Sequence, residues 1–347
     1  MKILLIGSYK YAMYAEAFYN AWVELGHEVE RIDYEEYHIH GKGRIAVLLN
    51  RIQDRYLWGI PMQRYNKDIV RRVESFRPDF VFLYRCNNIY GSTIKNIRAK
   101  TTVFSYHNDD PFGGVPSHAF YRYYKETTRH CHLNYVYRKK NIEDLRATGV
   151  ENAKVLLPYY MKARNFPIDC TKDIQVSFLG HYEPDGRDSV IKGLLDKVVQ
   201  VRVFGSEWQR APFYEQMKHI HAPATGEGYN EMINRSQILL VFFSKRNNDT
   251  YTRRSFEIPA TRSFMLCEYT EDMDRMYPAD EAAVYFRTHE EAVEKCLYYL
   301  EHERLRIQIA ENAYRRIMEM GGSEYDRAKE IIEDYNEIVS TKRDEDA

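Results

Sequence analysis

Two rounds of one alternation constrain this chain more than any single residue. Short, β-rich apolar runs are separated by longer stretches whose apolar residues recur every three or four positions. The first round offers KILLI (2–6), VERI (29–32), FVFLY (80–84), TVFSY (102–106) and LNYVY (133–137). The second offers IQVSFLG (174–180), VRVFG (201–205), ILLVFF (238–243), FMLCE (264–268) and AVYF (283–286). Between them Met13, Ala17, Ala21 and Leu25 recur every four residues, and Val293, Cys296, Leu297 and Leu300 step as i, i+3, i+4, i+7, as do Ala328, Ile331, Ile332 and Tyr335. Strands joined by helical crossovers make parallel sheets, so the expected fold class is α/β with two doubly wound, Rossmann-like domains.

A chain of 347 residues is long enough for two such cores. Periodicity lapses at LLPYYMKARNFPIDCTKD (156–173), which divides a domain at 1–160 from one at 173–320. Residues 321–347 read as a helix and a charged, fraying tail that could fold back on the first domain. No repeat of solenoid length and no low-complexity segment interrupts the pattern.

A formal net charge of −1 excludes a whole-molecule grip on nucleic acid or anionic lipid, so any basic surface must be local. Five scattered cysteines, Cys86, Cys131, Cys170, Cys267 and Cys296, draw neither a disulfide framework nor a Cys-x-x-Cys metal site. They fit a reducing cytoplasm. The apolar run before Gly7 is too short for a signal peptide or a membrane span, so a soluble, cytoplasmic protein is expected. The 30 tyrosines suit stacking on sugars or bases, and equally a compositional habit.

Open α/β sheets bind ligands beyond the carboxyl ends of their strands, so the loops after the strands are where chemistry is sought. GSYKY (7–11) could bring backbone amides of Gly7 and Ser8 to an anion, or simply turn; it is neither a GxGxxG fingerprint nor a P-loop. HNDDPFGG (107–114) carries His107, Asp109 and Asp110, of which Asp110 before Pro111 reads as a helix N-cap and the other two are left for chemistry. No third carboxylate supports a metal site. Arg187, after HYEPDG, would open a helix and hold a diphosphate, or be a plain surface arginine. NNDTYTRRSFEIPATRSFMLCEYT (247–270) is the most informative loop. It sets Asp249, Arg253, Arg254 and Glu257 between two apolar strands, where a core wants none of them. Placed at a helix start, the arginines could meet a phosphate and Glu257 could accept two ribose hydroxyls; an ion pair between Glu257 and an arginine is the competing reading.

From about Val176 to Arg327 the chain resembles the CgeB-like (spore maturation protein) branch of the group 1 glycosyltransferases. The pattern appears as VSFLG followed by an arginine, VRVFGSEW, GEGYNEMINRSQILLVFF, DTYTRRSFEIPATRSFMLCE and THEEAVEKCLYYLEHERLRIQIAENAYRRI. RPDFVFLYR and HNDDP fit more loosely in the first half. The resemblance implies the GT-B fold, with two Rossmann-like domains facing across a cleft, the second holding a nucleotide-sugar and the first an acceptor. It implies a metal-independent, retaining transfer with no tightly bound cofactor, the nucleotide-diphosphate-sugar being a substrate. Glu257 takes the family position that binds the nucleotide ribose. Asp249, seven residues before it, takes the place of an acid that contacts donor-sugar hydroxyls. Arg187, and less closely Lys192, take the diphosphate positions, Arg254 matches the branch pattern and could join them, Arg253 and Tyr229 join the donor group, and His107 falls where retaining relatives place a histidine near the donor sugar. Asp109 is a candidate acceptor-side base. The family's glycine five residues after the second acid is Arg262 here.

The implied acceptor is a glycan, a lipid-linked sugar or a protein. Within 42–75 lie Arg44, Arg51, Arg55, Arg64, Arg71 and Arg72, with Ile45, Leu48, Leu49 and Ile52 at helical spacing. This reads either as a face for an anionic membrane or lipid-linked acceptor, giving peripheral association, or as a core-facing helix with a solvated basic side. A non-catalytic sugar-nucleotide binder and a nucleotide-sugar epimerase remain the alternative functions.

Overall fold

In the computed structural model the strands form two six-stranded, all-parallel sheets. The structure describes residues 1–38, 43–56, 58–113, 120–222 and 228–346, the side chains of 54, 55 and 342–346 excepted. Gly114, Gly226 and Glu227, and the Arg55 side chain, named in the sequence reading, lie outside the described set. The chain divides into two units, Met1–Leu157 with Glu324–Ala347, and Pro158–Ser323.

The first sheet contains β1 (Lys2–Gly7), β2 (Glu28–Asp33), β3 (Phe80–Tyr84), β4 (Thr102–His107), β5 (Leu133–Val136) and β6 (Ala153–Val155), in the order β2-β1-β3-β4-β5-β6. β1 lies between β2 and β3, with Ile3 opposite both Val29 and Phe80. β3 and β4 are buried along their whole length, which is why they read as unbroken apolar runs rather than alternating ones. The second sheet contains β7 (Ile174–Leu179), β8 (Val201–Phe204), β9 (His221–Ala222), β10 (Ser236–Val241), β11 (Met265–Glu268) and β12 (Val284–Phe286), ordered β12-β11-β10-β7-β8-β9. Its core gathers Val176, Phe178, Ile238, Leu240, Leu266 and Val284 from the strands with Ile191, Leu194 and Cys296 from the covering helices.

In each sheet the connection reverses direction once, between β1 and β3 in the first and between β7 and β10 in the second. Crevices form at such points, beyond the carboxyl ends. The loops there are those that carry Gly7, Ser8 and Arg85, and Glu183, Arg187 and Asp249.

The last helix, Glu324–Asp346, belongs to the first unit. Trp22 Nε1 donates to the carbonyl of Ala328 at 3.1 Å, Tyr135 Oη donates to Asp334 at 2.7 Å, and Lys154 Nζ lies 2.9 Å from the same carboxylate. The Tyr335 ring packs on Phe80.

Three local expectations change. β6 and β9 are extra edge strands of three and two residues, too short to show a run. Asp110 caps no helix: residues 111–113 make a turn, Asp110 Oδ1 accepts from Phe112 N at 2.9 Å, and the same oxygen accepts from Asn141 Nδ2 at 2.8 Å. It is a buried Asx-type turn. The chain through residue 346 is helical where fraying was expected.

Candidate functional site

In the second unit, β10 ends at Val241, a loop follows, and the helix Arg254–Ala260 begins. The loop is tied at several points. The backbone N–H of Asp249 donates to the carbonyl of Ser244 at 2.9 Å, Thr250 Oγ1 donates to Asp272 at 2.8 Å, and Thr270 Oγ1 donates to the Thr250 carbonyl at 2.6 Å. The half-buried Asp249 is therefore held by a fixed backbone. Glu183, from the loop after β7, accepts from Lys245 N at 3.2 Å and from His181 Nε2 at 3.2 Å, which joins the two loops at the reversal point. Burial alone would raise the Glu183 carboxyl, but the hydrogen bonds from His181 and Ser244 and the charge of Arg187 outweigh it and bring its pKa down to about 2.

Glu257, in the first turn of Arg254–Ala260, is 3% exposed. Its Oε2 accepts from Tyr229 Oη at 2.6 Å. Burial and the adjacent carboxylate push the Tyr229 hydroxyl well above the usual tyrosine range, while Arg254 and Arg164 pull the other way, so Tyr229 stays a donor. The Arg164 guanidinium stacks 4.4 Å from the Tyr229 ring centroid, and Arg253 stacks 4.5 Å from that of Tyr159. Arg254 reaches toward Gly180, at the end of β7, where a Cβ would lie 3.5 Å from its Cζ and 2.8 Å from the Phe178 ring. Among the described residues, Arg164 Nε and Arg254 Nε are buried without a hydrogen-bond partner. Buried guanidinium nitrogens are normally paired, and a pair of them beside a buried carboxylate suits an anionic ligand. The helix itself has only seven residues, so the arginine side chains, rather than its dipole, carry the positive charge.

Tyr229, Arg253, Arg254 and Glu257 are thus brought together, with Arg164 and Tyr159 added by the structure. Arg187 is not available to them. Only 2% exposed, it binds Asp185 through Nε at 2.8 Å and Nη2 at 2.5 Å and gives Nη1 to the His181 carbonyl at 2.8 Å. Its charge is neutralised inside its own loop, which it ties together. Arg262, at the family's glycine position, has φ +54°, the left-handed conformation that favours glycine. Its guanidinium lies 4.3 Å from the Tyr314 ring and its Nε 3.6 Å from Glu311.

In the first unit the candidates gather at the ends of β3 and β4. Asp109 pairs with Arg85, a residue the sequence reading passed over, which follows β3 directly and has φ +54°. Burial would weaken the Arg85 charge, but the Asp109 carboxylate prevails and raises its pKa. The Arg85 charge likewise overcomes burial to hold the Asp109 pKa below its usual value. His107 is 1% exposed, its Nδ1 accepts from the Asp109 N–H at 3.1 Å and its Nε2 bonds Asn87 Oδ1 at 3.1 Å. Tyr121 and Tyr124 close over its ring, and burial drags its pKa to about 4. With both nitrogens engaged, His107 sits in this corner as a neutral ring. Around the Gly7–Ser8 loop, Asp33 accepts from Tyr9 N at 3.4 Å and Ser8 Oγ donates to Glu35 at 3.0 Å. Gly7 is required by packing, since a Cβ would lie 3.0 Å from the Tyr84 carbonyl oxygen.

The two parallel, Rossmann-like sheets match the fold of GT-B structures. Residues 187–332, less than half of the chain, match the model of the family described as glycosyl transferase-like. The fold is similar along nearly its whole length to sucrose-phosphate synthase from Thermosynechococcus elongatus, with TM-score 0.70 at 8% identity, covering 98% of this chain and 100% of that one. HepE of Anabaena, solved in complex with UDP-glucose, gives TM-score 0.67 at 12% identity over 97% and 100% of the two chains. A glycosyltransferase from Rickettsia africae gives TM-score 0.67 at 12% identity over 97% and 98%. No curated protein sequence matches the chain.

Proposed function

We propose that the protein transfers a sugar from a nucleotide-diphosphate-sugar to a hydroxyl of a glycan, lipid-linked or protein acceptor, with retention at the anomeric carbon. The observation that carries this is the grouping of two buried, unpartnered guanidinium nitrogens, on Arg164 and Arg254, around the Tyr229–Glu257 pair. A carboxylate accepts up to four hydrogen bonds and one is taken by Tyr229, which leaves Glu257 capacity for the two ribose hydroxyls. Arg164, Arg253 and Arg254 would then meet the diphosphate, and Asp249 the donor sugar. Breaking the glycosyl–phosphate bond moves negative charge onto the leaving diphosphate. Each fixed cation aimed there lowers the barrier by about 3 kcal/mol in comparable electrostatic sites. In the transfer the leaving phosphate oxygen takes the proton of the incoming hydroxyl.

The test is thermal unfolding with uridine, guanosine and thymidine diphosphates. At a hundred times Kd a nucleotide stabilises by about 2.7 kcal/mol. One of the three should raise the wild-type transition and leave Glu257→Ala unmoved; equal shifts in both would remove the ribose role. The locked His107 favours a second reading, a donor-binding protein that performs no transfer. Slow release of nucleotide from a panel of nucleotide-sugars supports transfer, and clear binding with no release from any of them supports the second reading.

A further inference from the structure

The helix Arg44–Tyr56, on the first unit, is inverted relative to an ordinary amphipathic surface helix. Its polar side faces inward: Gln53 is buried and donates to Tyr34 Oη at 3.1 Å, and the Tyr56 carbonyl accepts from Arg122. Its apolar side faces water. Ile45 is 75% exposed and Leu48 57%, with Leu49, Ile52 and Tyr56 continuing the same stripe at i, i+3, i+4, i+7 and i+11. Trp58 and Ile60, just beyond the helix end, are 71% and 73% exposed. An apolar stripe of this length normally seeks cover.

The charges identify what covers it. At about 100° per residue Arg44 and Arg51 fall together on one flank of the stripe. Residues 44–72 hold six arginines and one lysine against two aspartates, in a chain whose net charge is −1. A second copy of the chain would set like charges beside like across a two-fold axis. An anionic bilayer instead takes the stripe into its acyl boundary, the arginines onto its headgroups, and Tyr56 and Trp58 at the level between. We infer that this helix is an in-plane membrane anchor for anionic lipid. Among the described residues no helix is long and apolar enough to cross a membrane, so attachment by this element is peripheral and salt-sensitive. The anchor is independent of the donor site and would operate whether or not transfer occurs.

Co-sedimentation of the full chain with vesicles of phosphatidylcholine alone, or mixed with phosphatidylglycerol, tests the inference. The wild type should partition roughly tenfold or more in favour of the mixed vesicles, and salt should weaken that binding. Leu48→Glu with Ile52→Glu should abolish it, and Arg44→Glu with Arg51→Glu should weaken it about thirtyfold or more. Both pairs should keep the wild-type unfolding temperature and the same nucleotide-induced shift. Binding to neither vesicle, or to both equally, overturns the inference. So does a dimer in solution that the Leu48→Glu and Ile52→Glu pair converts to monomer while the wild type ignores vesicles.

Discussion

The Tyr229–Glu257 hydrogen bond can be isolated by one atom, in Tyr229→Phe. The ring remains for Arg164 to stack on, so what is lost is a hydroxyl that donates at 2.6 Å to a carboxylate only 3% exposed. Hydrogen bonds to charged groups contribute about 1.5–3 kcal/mol, and a buried carboxylate deprived of one is left partly unsolvated. A loss of about 2 kcal/mol lowers the melting temperature of a unit this size by roughly 4–8 °C. Urea unfolding of wild type, Tyr229→Phe, Glu257→Ala and the double variant forms a cycle. Cavity and shape effects cancel in it, and the remaining coupling should be about 1.5–3 kcal/mol. Nucleotide binding should weaken only moderately in Tyr229→Phe, because the carboxylate survives with a looser direction. If the two substitutions add to within about 0.5 kcal/mol, the hydroxyl does not hold Glu257 in solution and the argument for a preset ribose acceptor fails.

Arg187→Ala should strip the partner from Asp185, leaving an uncompensated buried charge, and cost about 3–5 kcal/mol of stability in urea unfolding. Unchanged stability with weakened nucleotide binding would instead make it a ligand-facing cation. His107 sets a pH dependence: its folded pKa of about 4 lies below its usual 6.5, so the unfolded chain takes up its proton first as pH falls. Its contribution is intact above pH 6.5 and should decline through 6.5 toward 4, by up to about 3 kcal/mol. His107→Gln should flatten that part of the profile, and an identical slope in both proteins would contradict the buried neutral ring.

Strand candidates such as KILLI and FVFLY were legible because sheets covered on both faces need continuous apolar runs, and helical spacing marked what lies between. β6 and β9 were not, because edge strands of two or three residues leave no periodic trace. Of the site, the acid and arginines after β10 stood out since nothing apolar explains them there. Arg164 lay in the stretch whose periodicity lapses, where no face can be assigned, so only its stacking on Tyr229 reveals it. Arg85 obeyed the same rule that singled out Asp109, a polar residue directly after a strand, and could have been found by it. The pairing of Arg187 was written in EPDGR, where an aspartate two residues ahead at a glycine turn competes with any external anion.

The return of Glu324–Asp346 to the first sheet has a consequence for how the chain is made. During synthesis Met1–Leu157 emerges first, yet the helix that meets Trp22, Phe80 and Tyr135 leaves the ribosome only after the whole of Pro158–Ser323. Between these events the whole of Pro158–Ser323 can close on itself, with Tyr160 and Ser323 bridged side by side at its entrance and exit. The unit begun first is therefore completed after the second, and its aromatic flank waits uncovered until Glu324–Asp346 follows.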